Sequence, residues 1–294
     1  MQTRAFGATG LVIPLLGFGA MQVGDPAFDD AAAGRLLNAV LDAGLTLIDT
    51  ARAYGCAEER IGRHLARRRD EFVLSTKVGY GVPGVPDWTA ECIRRGVDAA
   101  RERLRTDVID IVHLHSCGAD VLREGAVTDA LRECVAQGKV RVAAYSGDDE
   151  ALRFALDSSA FGSVQASVNL CDQRALPWLR ESRVAGVGTI AKRSFAGHPW
   201  AASHVPEDPP HAEYYRRFQQ LRARLPDFGA SWPEVALRFA ACEDGVDCVI
   251  VGGLNARHVE RNVAAVARGP LEAGLRDALH EAFDRLGADW RGIV

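Results

Sequence analysis

Eight times along this chain, a short apolar run is followed by a longer segment with helical spacing, and this alternation constrains the fold more than any other feature. Repeated strand–helix units favour a parallel sheet, because each helix carries the chain back to the start of the next strand. Eight such units predict a closed α/β barrel, the (β/α)8 TIM barrel. The predicted strands are Leu15–Gly19, Leu47–Asp49, Val73–Lys77, Ile109–His115, Val140–Ser146, Ser163–Ala166, Gly188–Ala191 and Cys248–Val251.

Both ends of the chain add to this barrel. Residues 3–13 place a Thr-Gly turn between two short segments, which predicts a small N-terminal hairpin, and residues 271–287 have the spacing of a C-terminal helix. The alternative, an open doubly wound sheet, would need a GxGxxG turn that opens the first helix. Gly17-Phe18-Gly19 lacks the rest of that spacing, so we expect one barrel domain over residues 1–294.

Charge and cysteine content limit the partners and the compartment. The net charge is −4, with both signs scattered along the chain, which argues against nucleic acid or an anionic membrane as the main partner. The first residues show no signal-peptide pattern, and no apolar run is long enough to span a bilayer. Seven cysteines without a CxxC pair indicate a reducing compartment. We therefore expect a cytoplasmic protein, monomeric or weakly homo-oligomeric, that binds a small molecule.

Four reactive side chains fall where predicted strands give way to loops. Asp49 ends the second strand, Tyr54 lies in the loop after it, Lys77 ends the third and His115 ends the fourth. In a βα barrel these ends share one opening, which we call the barrel mouth, and catalytic groups gather there. Singly, each residue could be a cap, a packing group or a solvated charge. Their agreement in position predicts a catalytic site.

The four residue types also suggest a different chemical role for each residue. A phenol such as Tyr54 is a weak acid at neutral pH, and an ammonium beside it makes it a better proton donor. Asp49 would keep Lys77 charged and oriented. A neutral His115 could hydrogen-bond and orient a substrate oxygen.

These segments resemble the aldo-keto reductase family. GLTLIDTARAYGCAEERIG, STK and LRTDVIDIVHLH are similar to its signature around the catalytic tyrosine, its lysine strand and its histidine strand, and later blocks follow in the family's order over nearly the whole chain. The resemblance implies that Asp49, Tyr54, Lys77 and His115 form a catalytic tetrad. It also implies hydride transfer between a nicotinamide cofactor and an aldehyde or ketone, or the reverse, such as oxidation of an aldose. NADP is the expected cofactor, with NAD as the alternative.

The resemblance further implies a cofactor-binding site. Ser146 and Gln165 match positions that hold the nicotinamide carboxamide, and the segment from Gly252 to Asn262 matches the positions that hold the adenosine and its phosphates. The cofactor-binding residues implied in this way are Ser146, Gln165, Lys192, Gly252, Gly253, Asn255, Arg257 and Asn262.

Several residues of this cofactor-binding site differ from the family pattern. Gly147 follows Ser146 where the family often has Asn, so one carboxamide contact is missing. Lys192 replaces the aromatic residue that commonly stacks on the nicotinamide, and its charge could meet the cofactor's pyrophosphate instead. The family's basic pair for the 2′-phosphate aligns roughly with Asn255 and His258, which leaves Arg257 to supply a charge.

Two other functions remain open from the residues. His113 and His115 face the same way on one strand, as metal ligands do in barrel hydrolases. Only Asp49 is well placed as a further ligand, so we expect no metal. A barrel that binds the cofactor as a sensor without turning over is the second alternative. Substrate choice would depend on the loops at the mouth, chiefly residues 21–29, 80–88, 117–124 and 194–211.

Overall fold

The computed structural model of the protein describes residues 1–225, 228–287 and 289–293. Eight parallel strands close into a barrel in sequence order, which confirms the predicted (β/α)8 architecture and excludes the open sheet. Each predicted strand is confirmed to within one residue at either end. The barrel strands are β3 (Leu16–Gly19), β4 (Leu47–Asp49), β5 (Val73–Val78), β6 (Ile109–His115), β7 (Val140–Ser146), β8 (Ser163–Ser167), β9 (Gly188–Lys192) and β10 (Cys248–Gly252).

A short antiparallel hairpin precedes the barrel, as expected. Its strands are β1 (Thr3–Ala5) and β2 (Val12–Pro14). Phe6 and Ile13 are fully buried and join an apolar cluster inside the barrel that includes Leu47, Ile111 and Ile190. Asp49, His115 and Ser146 lie beyond this apolar cluster, at the last positions of β4, β6 and β7.

Helices surround the barrel and set its outer wall. Apolar faces at helical spacing pack on the outward side of the strands, and several helices begin with a side-chain cap, such as Asp29 before the first helix and Thr89 before the third. The helices are α1 (Asp30–Asp42), α2 (Ala57–Leu65), α3 (Ala90–Leu104), α4 (Ala119–Glu124), α5 (Ala126–Ala136), α6 (Asp149–Asp157), α7 (Leu176–Val184), α8 (Pro209–Arg222), α9 (Trp232–Cys242), α10 (Ala256–Ala267) and α11 (Ala273–Leu286).

Two of the four loops expected at the mouth contain α-helix instead. Residues 117–124 include α4, whose buried Ala119 and Leu122 anchor one turn against the barrel. The irregular stretch expected to run to His211 ends earlier, because Asp208 caps α8 and Pro209 and Pro210 occupy its first turn, where proline needs no hydrogen-bond partner. The confinement of the whole chain, residues 1–294, to one domain stays a prediction.

No helix within the described ranges has the length and apolar character needed to cross a membrane.

Candidate active site

A buried ion pair lies at the centre of the barrel mouth. Lys77, near the end of β5, places its Nζ 2.5 Å from Oδ2 of Asp49, the last residue of β4, and 2.8 Å from the carbonyl oxygen of Thr50. The side chains of both charged residues are 2% exposed. Burial alone would lower the pKa of Lys77, but the Asp49 carboxylate and contact with Tyr54 raise it above its usual value. Lys77 is therefore an ammonium held in a fixed direction.

A hydrogen-bonded network fixes Asp49 from the other side. Oδ1 of Asp49 accepts from Ser75 Oγ at 2.8 Å and from Gln165 Nε2 at 3.1 Å. Gln165 in turn accepts from Ser146 Oγ at 3.0 Å, and Ser75 lies 3.1 Å from Nε2 of His113. Burial would raise the pKa of Asp49, but Lys77 and His113 hold it below its usual range. Asp49 therefore stays a carboxylate.

Tyr54 lies directly over this pair. The Nζ of Lys77 is 5.0 Å from the centroid of the Tyr54 ring, which is half-buried in the loop after β4. Gly55 fixes the turn that follows: its φ is +51°, and a Cβ there would lie 2.2 Å from the carbonyl oxygen of Gly24. The loop conformation that holds the Tyr54 phenol over the charged pair therefore requires glycine at position 55.

His115 faces Tyr54 across the mouth. The two rings meet edge to face with their centroids 5.9 Å apart. Burial lowers the pKa of His115 to about 3, and the ammoniums of Lys77 and Lys192 contribute to this shift. His115 is therefore neutral at physiological pH, as expected. Its Nδ1 lies 3.0 Å from the hydroxyl oxygen of Tyr80, a contact that the sequence reasoning missed.

A second ion pair borders the mouth. Lys192, the last residue of β9, lies with Nζ 3.2 Å from Oδ2 of Asp148, which follows β7. Oδ1 of Asp148 accepts from the backbone N–H of Ser167 at 2.7 Å, and Oδ2 accepts from its hydroxyl at 3.1 Å. Burial lowers the pKa of Lys192, with Asp148 opposing the shift. Only three of the chain's 35 Lys and Arg residues are lysines, and Lys77 and Lys192 both lie here, where a compact ammonium fits better than a guanidinium fork.

Gly147 has a packing reason to lack a side chain. A Cβ at this position would lie 2.2 Å from the hydroxyl oxygen of Tyr145, which donates to the carbonyl oxygen of Cys117. The asparagine expected from the family pattern would displace that buried tyrosine. The next polar side chain along the chain is instead Asp148.

A candidate anion-binding surface, here called the anion cradle, lies beside β9, where the neighbouring strand β10 leads into α10. A Cβ on Gly252 would lie 2.3 Å from Oε1 of Gln22 and 2.9 Å from the carbonyl oxygen of Gly19, so the backbones of β10 and β3 approach closely. Asn255 caps α10 by accepting from the N–H of Arg257 at 2.9 Å. The cradle comprises Gly252, Gly253, Asn255, Arg257 and Asn262, together with Arg261 one turn after Arg257; both arginines are exposed.

This cradle fits a dinucleotide phosphate. The first turn of this 12-residue helix presents the positive end of the helix dipole, and Arg257 and Arg261 add two cations on its exposed face. The glycines leave room for backbone approach to a bound anion. These features suit the phosphates of a nicotinamide dinucleotide.

No group of three or more His, Cys, Asp or Glu side chains is arranged to hold a metal ion in the part of the chain that the structure describes. His113, half of the HxH pair, uses Nε2 in the contact with Ser75 and is fully buried below the mouth.

The structure thus brings Asp49, Tyr54, Lys77 and His115 together as the sequence predicted. It also brings Ser146, Gln165 and Lys192 to the same mouth, while Gly252 to Asn262 form the cradle beside it. Tyr80 and Asp148 were missed. A signal existed for both, since each lies within three residues of a predicted strand end.

Comparisons with known proteins identify the family. The family model described as the Aldo/keto reductase family matches residues 15–281. L-galactose dehydrogenase of Arabidopsis thaliana is 28% identical over 283 residues, which cover 90% of this chain and 88% of that protein. D-threo-aldose 1-dehydrogenase of a Pseudomonas species is 29% identical over 321 residues, covering 95% and 96%.

A solved structure is similar over the same extent. The holo form of an aldo-keto reductase from Bacillus halodurans superimposes with a TM-score of 0.84 at 28% identity, covering 96% of each chain.

Proposed function

This chain belongs to the aldo/keto reductase family and is an oxidoreductase, and we propose that it transfers hydride between a nicotinamide cofactor and the carbonyl carbon of a sugar or small aldehyde. Oxidation of an aldose at its anomeric carbon and reduction of the corresponding carbonyl are the two directions of this reaction. The observation that carries the proposal is the buried Lys77–Asp49 pair beneath Tyr54, with neutral His115 opposite. Two relatives named as sugar dehydrogenases support the substrate class.

The tetrad can move one proton at the substrate oxygen. A bound nicotinamide ring supplies the hydride in reduction and accepts it in oxidation. Tyr54 donates its phenolic proton to the oxygen as the carbonyl becomes an alcohol, and takes that proton back in the reverse direction. The Lys77 ammonium, 5.0 Å from the ring centroid, stabilises the phenolate that remains.

The surrounding residues prepare this step. Asp49 balances the charge of Lys77 and, through Ser75 and Gln165, keeps the ammonium from turning away. His115 carries no charge near neutral pH, so it can hydrogen-bond the substrate oxygen without competing as an acid. Because these groups are held before substrate arrives, little reorganisation is needed in the transition state.

The proposed cofactor contacts follow four consecutive barrel strands, β7 to β10, and the start of α10. Ser146, Gln165 and Lys192 would hold the nicotinamide end, and Gly252, Gly253, Asn255, Arg257 and Asn262 the adenosine and phosphates. The Asp148 pairing leaves two N–H groups of Lys192 able to reach a ligand. Arg257, exposed at the start of α10, supports NADP over NAD, since a guanidinium can bind a 2′-phosphate.

We propose a cytoplasmic location and a monomer or weak homo-oligomer. All seven cysteines are free thiols, five of them buried, which supports a reducing compartment.

The direct test is a turnover panel. Purified protein is mixed with NADP⁺ or NAD⁺ and a set of aldoses, and with NADPH or NADH and a set of aldehydes, while absorbance of the reduced nicotinamide is followed. We expect turnover with at least one aldose and a preference for NADP. Tight cofactor binding without turnover on any member would instead identify a sensor barrel.

A further inference from the structure

Tyr80 is a second phenol at the mouth, and its only polar side-chain contact within the described ranges is with His115. The two rings stack with their centroids 5.4 Å apart and an interplanar angle of 24°, and the hydroxyl oxygen lies 3.0 Å from Nδ1. A stacked ring and a hydrogen bond together fix both the plane and the rotation of the imidazole. The contact joins the loop after β5 to the end of β6.

The loop that carries Tyr80 is itself held firmly. Trp88 packs against the Tyr80 ring with 5.6 Å between centroids, and its backbone N–H donates to the Gly79 carbonyl at 2.7 Å. Gly79 has a φ of +142°, and a Cβ there would lie 2.1 Å from the Trp88 ring. Arg52 binds the carbonyl of Gly81 through Nε at 3.0 Å. Tyr80 therefore occupies a built position next to His115.

The direction of the hydrogen bond follows from the chemistry of the two groups. A neutral imidazole has one nitrogen that donates and one that accepts. Burial raises the pKa of Tyr80, so its phenol keeps its proton at neutral pH. The phenol has no other acceptor within the described ranges, and a phenolic O–H donates more strongly than it accepts. Donation to Nδ1 of His115 is thus the favoured arrangement.

We infer that Tyr80 is a positioning residue for His115: its hydroxyl donates to Nδ1, which places the imidazole proton on Nε2 and makes Nε2–H the donor to the substrate oxygen. The opposite tautomer would present a lone pair to that oxygen and repel it. This inference deepens the proposed function and rests on it, because it concerns the same carbonyl-binding group.

The test reads the tautomer directly. Protein labelled with ¹⁵N-histidine gives two-bond ¹H–¹⁵N correlations that distinguish Nε2–H from Nδ1–H, and the His115→Asn variant assigns the His115 signal among the eight histidines. We expect Nε2–H in the unaltered protein and a mixture of tautomers in Tyr80→Phe, which keeps the ring and removes the hydroxyl. Tyr214→Phe is the matched control, because it also removes the hydroxyl of a buried tyrosine, in α8, and with it a hydrogen bond to Asn169. This variant should leave the His115 signal unchanged.

Kinetics supply the second readout. Tyr80→Phe should lower kcat/KM for the carbonyl by about tenfold, the worth of one ordinary hydrogen bond, while cofactor affinity stays within a few-fold. An Nδ1–H tautomer in the unaltered protein, an unchanged tautomer in Tyr80→Phe, or a kcat/KM within twofold would overturn the inference. Complete loss of carbonyl reduction in Tyr80→Phe would also overturn it, because Tyr80 would then be the proton donor.

The two proposals fail separately. The tautomer spectrum needs neither cofactor nor substrate, so it can be read even if no member of the turnover panel reacts. Absence of turnover counts against the proposed function, and the wrong tautomer counts against the role of Tyr80.

Discussion

Replacing Lys77 by Met should destabilise the fold more than replacing Lys77 and Asp49 together. The Met side chain fills similar space but leaves Asp49, which is 1% exposed, without its counter-ion. Oδ1 of Asp49 keeps its donors Ser75 and Gln165, whereas Oδ2 loses Lys77, the one side-chain donor that it has within the described ranges. Removing one partner of a buried pair costs about 3–5 kcal/mol in the free energy of unfolding, and we expect a loss in this range at pH 7.

The double variant Lys77→Met/Asp49→Asn removes both charges. Its amide oxygen still accepts from Ser75 and Gln165 and needs no counter-ion, so we expect it to lie within about 2 kcal/mol of the unaltered protein. Burial favours the protonated form of Asp49, so the deficit of the single variant relative to the unaltered protein should shrink as pH falls from 7 to 5.

Equilibrium unfolding in urea, followed by far-ultraviolet circular dichroism, measures all three proteins at both pH values. If the single and double variants lost the same free energy, or if Lys77→Met cost less than about 1 kcal/mol, the ion pair would not be a coupled buried unit. The view of Lys77 as an ammonium dependent on Asp49 would then be refuted.

Two further predictions concern cofactor choice and acid stability. Arg257→Ala should raise the Kd for NADPH about tenfold and leave the Kd for NADH nearly unchanged, since one charge-assisted contact to the 2′-phosphate is lost. Titration of nucleotide fluorescence measures both Kd values, and Arg276→Ala, at an exposed position on α11, is the control. Equal weakening of the binding of the two cofactors would contradict this prediction. Burial lowers the pKa of His113 from 6.5 to about 4. Between these pH values the unfolded chain binds a proton at His113 that the folded protein does not, so the free energy of unfolding should fall by up to about 3 kcal/mol as pH drops from about 6.5 to 4. Urea unfolding should show this slope in the unaltered protein and a shallower one in His113→Asn; identical slopes would contradict it.

The strands, and the placement of Asp49, Lys77 and His115 at strand ends, could be predicted from the sequence because both follow from short-range patterns. Parallel barrel strands are buried on both faces, so they appear as apolar runs such as Val73–Leu74, and the residue that ends a run must lie at the mouth. The pattern alone therefore places Lys77 and His115 at the mouth.

Contacts between separate loops could not be read in this way. Tyr80 and His115 are 35 residues apart and meet only because β5 and β6 are neighbours in the barrel. The pairing of Lys192 with Asp148 likewise depends on where β7 and β9 end in space, and the sequence suggested a cofactor contact for Lys192 without revealing that carboxylate. Helix α4 was missed because six residues are too few to show helical spacing.

In the proposed mechanism Tyr54 transfers the proton while the cofactor transfers the hydride, and the Tyr54→Phe variant separates these two roles. The measurement is kcat for carbonyl reduction together with the Kd for the reduced cofactor, in the variant and in the unaltered protein. We predict that carbonyl reduction is lost while the Kd changes by no more than a few-fold, because the ring remains and only the proton donor is removed. A kcat close to that of the unaltered protein would contradict the account.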